Sequence, residues 1–208
     1  PAAAKQAACG SAHSIVVLTD GSCVGFGDDR NLQLGLRQQK NTKALREGPS
    51  IVCEPKLIEA FRGKRVTTAA AGGGGLEGGH TVLVVAGPEG DELWAFGYGR
   101  WGQLGGRAFS HISDPKRISS LAKLREWDED TQSVVSICVK SVACGEKHTA
   151  ALLSTGNVFV WGWNDHGQLG TGGGAGSHTP LMVKSPTNLR FAILRGLACG
   201  PNSTATWC

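Results

Sequence analysis

The sequence predicts an all-β protein made of short strands folded into small antiparallel sheets, on three observations. The chain holds 31 glycines in 208 residues but only 6% aromatic residues, a balance that favours many tight turns between strands over helices. Its apolar runs, such as Ile15 to Leu18 and Val82 to Ala86, are strand-length and bounded by turn residues. Finally, one pattern recurs along the chain at a spacing too long for a helical repeat and right for a sheet-sized unit.

The first copy reads Ala8-Cys9-Gly10, His13-Ser14, an apolar run to Leu18, the turn Thr19-Asp20-Gly21-Ser22, then Val24-Gly25-Phe26-Gly27 and Leu32-Gln33-Leu34-Gly35. The second has a glycine cluster at Gly72 to Gly75, His80-Thr81, Val82 to Ala86, Leu93-Trp94-Ala95-Phe96-Gly97 and Gly102-Gln103-Leu104-Gly105. The third runs from Ala143-Cys144-Gly145 through His148-Thr149, Ser154-Thr155-Gly156-Asn157 and Val158-Phe159-Val160-Trp161-Gly162 to Gly167-Gln168-Leu169-Gly170. A fourth begins at Ala198-Cys199-Gly200 and carries Ser203-Thr204 at the His-Thr position, so the aligned sites lie 67, 68 and 55 residues apart.

Within each copy, glycine supplies the positive φ that closes a hairpin, predicting strand pairs 12–18 with 22–27, 81–86 with 93–97, and 149–153 with 157–162. A third strand precedes each of the later hairpins, in Val66 to Ala71, Val134 to Ala143 and Phe191 to Ala198. Outer edge strands start at proline in Pro55 to Ile58 and Pro115 to Ile118, with a third at Leu181 to Lys184, because a missing N–H breaks no ladder at an edge. The repeated units are therefore blade-sized sheets of four antiparallel strands, about 8–65, 66–133 and 134–190, with a terminal partial repeat over 191–208. A glycine recurring at Gly162 and its equivalents implies a strained backbone there.

At Cys144-Gly145-Glu146-Lys147-His148-Thr149 and Trp161-Gly162-Trp163-Asn164-Asp165-His166-Gly167-Gln168-Leu169-Gly170 the chain resembles the repeat of the regulator of chromosome condensation family. That resemblance covers nearly the whole chain and implies a partial β-propeller, three blades and a terminal segment, Gly196 to Cys208, that resembles the closing strand of such rings, together the C-terminal part of a seven-bladed ring. It departs from the pattern at Leu32, where glycine is expected, at an enlarged hairpin over Gly87 to Glu92, and at a glycine-rich insertion over Gly72 to Gly79. The stretch from Trp101-Gly102-Gln103-Leu104-Gly105 through Phe109-Ser110-His111-Ile112 to Leu124-Arg125-Glu126-Trp127-Asp128-Glu129 resembles the mitochondrial branch of the family. This implies a mitochondrial location, the nucleus or cytosol being the alternatives.

Composition narrows function further. A net charge of +4, from 21 basic against 17 acidic residues, demands neither nucleic acid nor membrane surface. Seven cysteines without a C-x-x-C pair suggest neither a zinc site nor a disulfide framework, which fits a reducing compartment. No apolar run reaches the roughly 18 residues of a membrane span. The run Gly72 to Gly79 lacks the Lys-Ser or Lys-Thr of a phosphate loop and reads as a flexible loop at a blade edge. Without G-x-S-x-G, H-E-x-x-H or a paired-acid motif, the sequence predicts no enzyme, no cofactor, no metal and no small-molecule substrate.

His13, His80 and His148 share one repeat position and read as buried imidazoles bonded to neighbouring backbone. Cys9, Cys144 and Cys199 share another and read as small buried residues. The six tryptophans, Trp94, Trp101, Trp127, Trp161, Trp163 and Trp207, read as core and loop packing. Basic residues gather at Arg37, Lys40, Lys43 and Arg46, at Arg62, Lys64 and Arg65, and at Arg107, Lys116 and Arg117. The last two groups are interaction candidates, together with Leu124 and Trp127 on a predicted amphipathic helix over Leu121 to Asp130. The partners anticipated are protein subunits of a larger complex. Family resemblance adds, as an alternative function, guanine-nucleotide exchange on a small GTPase such as Ran with chromatin binding, for which the Gly87 to Glu92 hairpin would be compared with the inserted wedge, and the basic groups add an RNA-binding accessory role.

Overall fold

A computed structural model describes residues 2–36, 51–74, 78–106, 110–121, 125–128, 132–136, 138–183 and 194–207. Three consecutive sheets have four antiparallel strands each. The first comprises β1 (Ala4–Cys9), β2 (His13–Leu18), β3 (Cys23–Asp28) and β4 (Ile51–Leu57), and the second β5 (Arg65–Gly73), β6 (Gly79–Gly87), β7 (Gly90–Gly97) and β8 (Ile112–Arg117). The hairpin β9 (Arg125–Asp128) and β10 (Ser133–Ser136) then precedes the third sheet, of β11 (Val139–Cys144), β12 (His148–Leu153), β13 (Val158–Gly162) and β14 (Ser177–Met182). The pair β15 (Gly196–Gly200) and β16 (Ser203–Trp207) begins a fourth.

The innermost strands β1, β5, β11 and β15 touch in succession, so the sheets stack face to face as consecutive propeller blades. Apolar residues fill the junctions. Ile15, Val17, Leu34, Ile58 and Phe61 meet Leu83, Val85 and Phe96 between the first two blades. Val82, Val84, Leu104 and Ile118 meet Ala151, Leu153 and Trp161 between the next two. Middle strands buried on both faces account for near-continuous apolar runs such as Val82–Val85, where no polar alternation is needed.

The three predicted hairpins form with their glycine turns. The outer strands differ from expectation: Pro55, Pro115 and Pro180 lie inside them rather than at a start. Each sits where the register slips opposite the residue before Gly27, Gly97 or Gly162. A bulge leaves backbone groups out of the ladder, so proline costs no hydrogen bond there.

Two further expectations are corrected. Arg125–Asp128 is a strand and not part of a helix, paired with Ser133–Ser136 through Trp127 opposite Val134. The apolar residues that suggested helical spacing fall on different elements, Leu121 being buried beneath the sheet, while Leu124 lies outside the described residues. Consequently the expected strand over Val134 to Ala143 divides, its first part turning back onto β9 and its second entering the third blade. The glycine run likewise begins and ends within β5 and β6 rather than forming a loop throughout. A Cβ on Gly72 would lie 2.2 Å from the Gly145 carbonyl oxygen, so close approach of blades requires glycine there.

Candidate interaction surface

Strand direction divides the stack into two ends. The loop end carries the G-x-x-x-x-G-Q-L-G segments and the turns between the first and second strands of each sheet, and the turn end carries the turns between the second and third strands and the blade-to-blade connections.

The recurring histidines belong to neither end but to the junctions. His13 Nε2 lies 3.1 Å from Thr81 Oγ1, His80 Nε2 3.0 Å from Thr149 Oγ1, and His148 Nε2 3.0 Å from Thr204 Oγ1. Each threonine hydroxyl donates its proton to a glutamine carbonyl, Gln33, Gln103 or Gln168, at 2.7–2.8 Å. Having one proton, each hydroxyl must accept from the imidazole, which makes Nε2 the protonated nitrogen in all three rings. The partner is thus a hydroxyl of the next blade, not local backbone as the sequence suggested. Burial pulls His13 and His148 down to about 4 and His80 to about 3, since a second proton would place a charge in an apolar junction. These residues fasten blades together.

The glutamines of G-Q-L-G build their own loops, each side-chain oxygen accepting a backbone N–H two residues earlier: Asn31, Trp101 or His166. Leu32 occupies the position of Gly102 and Gly167 and adopts their left-handed backbone at φ 67°. Gly162, at φ 114°, sits where a Cβ would meet the Lys147 carbonyl oxygen at 2.5 Å.

The cysteines separate. Cys144 and Cys199 are partly buried and their thiols are pushed upward by burial, Cys199 to about 11. Cys9 is exposed, contrary to expectation, because β1 packs on β5 along one side only among the described strands. Among the described residues no three His, Cys, Asp or Glu side chains gather as metal ligands, and no helix is long and apolar enough to cross a membrane.

The turn end collects most of the described interaction candidates. Arg62 makes a two-pronged contact with Glu59 at 2.6 and 2.7 Å. Lys64 Nζ rests 3.7 Å from the Trp94 ring centroid, and Trp94 stands edge-on to Phe61. Trp94 Nε1 donates to Glu92, whose other oxygen is 3.1 Å from Arg117. Lys64, Trp94, Glu92 and Arg117 thereby form one fixed strip from the connection between the first two blades onto the outer strands of the second, with exposed Arg65 and Lys116 at the same end. Arg107 and the group from Arg37 to Arg46 lie outside the described residues. The Gly87 to Glu92 hairpin closes on a two-residue turn, and Asp91 accepts the Val139 N–H at 2.8 Å. It is anchored to the third blade instead of projecting.

Between the second and third blades the β9–β10 hairpin emerges at this end. Trp127 and Val134 are 57% and 63% exposed, so Trp127 does not pack as the sequence reading assumed. Trp161, by contrast, is buried and donates through Nε1 to the Gln103 carbonyl. At the loop end Lys147 lies 5.3 and 4.7 Å from the ring centroids of Trp101 and Trp163 and clamps two blades. That clamp, and Val134 as partner to Trp127, were missed because neither contact follows from local spacing.

The chain has counterparts among known proteins. Residues 20–84, 91–152 and 155–207 match the regulator of chromosome condensation (RCC1) repeat, and 4–33 and 139–168 match a second profile of the same description. Ultraviolet-B receptor UVR8 of Arabidopsis thaliana is 32% identical over 168 residues, covering 81% of this chain and 31% of that protein. Probable E3 ubiquitin-protein ligase HERC4 of Mus musculus is 29% identical over 180 residues, covering 86% of the chain and 14% of the ligase. Among solved structures, human WBSCR16 is 28% identical with a TM-score of 0.72 over 99% of this chain and 44% of its own. Yeast RCC1 (Prp20), solved bound to Kap60, is 17% identical with a TM-score of 0.73, covering 98% of the chain and 41% of its own. The chain thus spans under half the length of each.

Proposed function

The chain belongs to the regulator of chromosome condensation repeat family, and on that premise we propose that it is a non-catalytic scaffold or assembly factor that binds protein subunits of a larger complex through its turn end. One observation carries this reading: Lys64, Trp94, Glu92 and Arg117 are locked into a strip along the second blade and the connection that enters it, at the same end as a hairpin that exposes Trp127. Rigid sheets holding charged and aromatic side chains in fixed positions reduce the ordering cost of association. Aromatic and arginine side chains are also the residue types that anchor protein interfaces. We place the complex in mitochondria, a reading supported by the resemblance of the Trp101 to Glu129 stretch to that branch of the family.

Affinity capture of the tagged chain from fractionated cells tests both parts. The reading expects respiratory-chain or mitochondrial ribosomal subunits, retained after RNase treatment and lost with Lys64→Glu, Arg65→Glu and Lys116→Glu together. A loop-end control, Asp165→Lys, should keep them. Recovery of only a small GTPase and histones would overturn the compartment, and RNase-sensitive recovery would move the partner to RNA. Equal loss in the loop-end control would overturn the choice of surface.

A further inference from the structure

We infer that the axial mouth at the turn end is a second docking site, in which Lys5, Lys140 and Arg195 hold an acidic, extended segment of a partner protein. The inference rests on the turn end facing the partner and names the chemistry of one segment there.

A repeated irregularity places these cations. In every complete blade the register of the inner strand slips near its start, between Ala4 and Gln6, between Val66 and Thr68, and between Val139 and Ser141. The residues left out of the ladder are Lys5, Thr67 and Lys140, and a bulge re-aims its side chain out of the strand's alternation. Arg195 holds the same place ahead of β15, four residues before Cys199 as Lys5 is before Cys9 and Lys140 before Cys144. The freed side chains run toward the next inner strand. Lys5 Nζ donates to the Thr67 carbonyl at 3.2 Å, and Lys140 Nζ to the Leu194 carbonyl, next to Arg195, at 3.1 Å. The inner strands surround one axial space, since the loop-end residues of all four line the same cavity.

Charge selects the occupant. Lys5, Lys140 and Arg195 are exposed, and none of the four inner strands carries an acidic residue. Asp91 comes as near as the Val139 N–H, yet no ion pair joins these three cations to a carboxylate among the described residues. Like charges gathered without a counterion attract an anion, and ammonium and guanidinium groups give carboxylates charge-assisted hydrogen bonds. Each lysine gives one of its three protons to a carbonyl, which leaves two for a ligand. Nucleic acid takes its cations from a groove or stripe that follows the backbone. These cations stand around an axis instead, which suits a narrow segment with carboxylates on more than one side.

Fluorescence anisotropy on the full chain tests this with a labelled peptide of alternating Glu and Gly at physiological salt, where charges are screened beyond about 8 Å. Binding is expected, and Lys140→Gln with Arg195→Gln should weaken it about tenfold at unchanged thermal melting. Lys140→Arg with Arg195→Lys should keep it. Should the Gln pair lower the melting temperature, Lys5→Gln alone decides, with a loss of about threefold expected. Lys56→Gln with Arg100→Gln, which removes two charges elsewhere, should leave the peptide bound. No binding, indifference to the axial Gln substitutions, equal loss in the Lys56 and Arg100 control, or tighter binding of a single-stranded oligonucleotide of equal charge would each overturn the proposal. If the peptide fails while cellular capture still depends on Lys64, Arg65 and Lys116, the axial assignment falls and the turn-end reading stands. If the peptide binds through Lys140 and Arg195 while capture ignores the strip, the axial assignment stands and the strip falls.

Discussion

At each blade junction the same three residue types meet: a histidine, the threonine of the next blade, and the glutamine carbonyl between them. At the turn end the first and third blades share one tight turn, closed by Gly21 and Gly156 at φ 86° and 87°, whereas the Pro88–Glu89 turn of the second blade and the β9–β10 hairpin after it each occur once among the described residues. The contrast teaches how to divide labour in a repeat protein. A feature present at every junction answers a demand of stacking, while a feature present once is available for recognition. If that division holds, the junctions respond strongly to changes in stability and the turn end hardly at all.

Acid should break the junctions first. All three histidines are held below their ordinary 6.5, so the folded state refuses protons that the unfolded chain accepts. Their contribution is fully present above pH 6.5 and is lost as pH falls toward 4, by on the order of 2–3 kcal/mol per histidine. Melting temperature measured from pH 7 to pH 4 should drop steeply across that window and stay level from pH 7 to 8.

Gly162→Val comes next, with an expected loss of about 3 kcal/mol, because it adds backbone strain to a collision with the Lys147 carbonyl. Wild-type melting in this variant would remove the argument for a strained recurring glycine. Thr149→Val should cost roughly 1–3 kcal/mol, since it leaves the His80 N–H buried without its acceptor. Denaturant unfolding would show the loss as a lower midpoint at unchanged slope.

Leu32→Gly should move the other way, stabilising by roughly 0.5–1 kcal/mol through relief of a left-handed backbone. The smallest effect belongs to the turn end. Arg65→Glu should shift stability by less than about 0.5 kcal/mol, and a large change would mean that this surface supports the fold instead of serving recognition.

The strand pairs and the placement of histidine, glutamine and glycine were legible in the residues alone, because hairpin closure and positive φ are local demands that recur with every blade. Even Leu32 announced itself by standing where glycine belonged. What local spacing misread was the segment from Leu121 to Asp130. Its apolar residues at three-residue intervals suit a helix, and only the pairing of Trp127 with Val134 shows a hairpin. The hydroxyl that each imidazole finds was equally out of reach, since it lies 56 to 69 residues away in sequence. Repetition along the chain determined the blades. The junction relay, the Lys147 clamp and the strip from Lys64 to Arg117 were decided only when blades stacked, because their partners are neighbours in space and strangers in sequence.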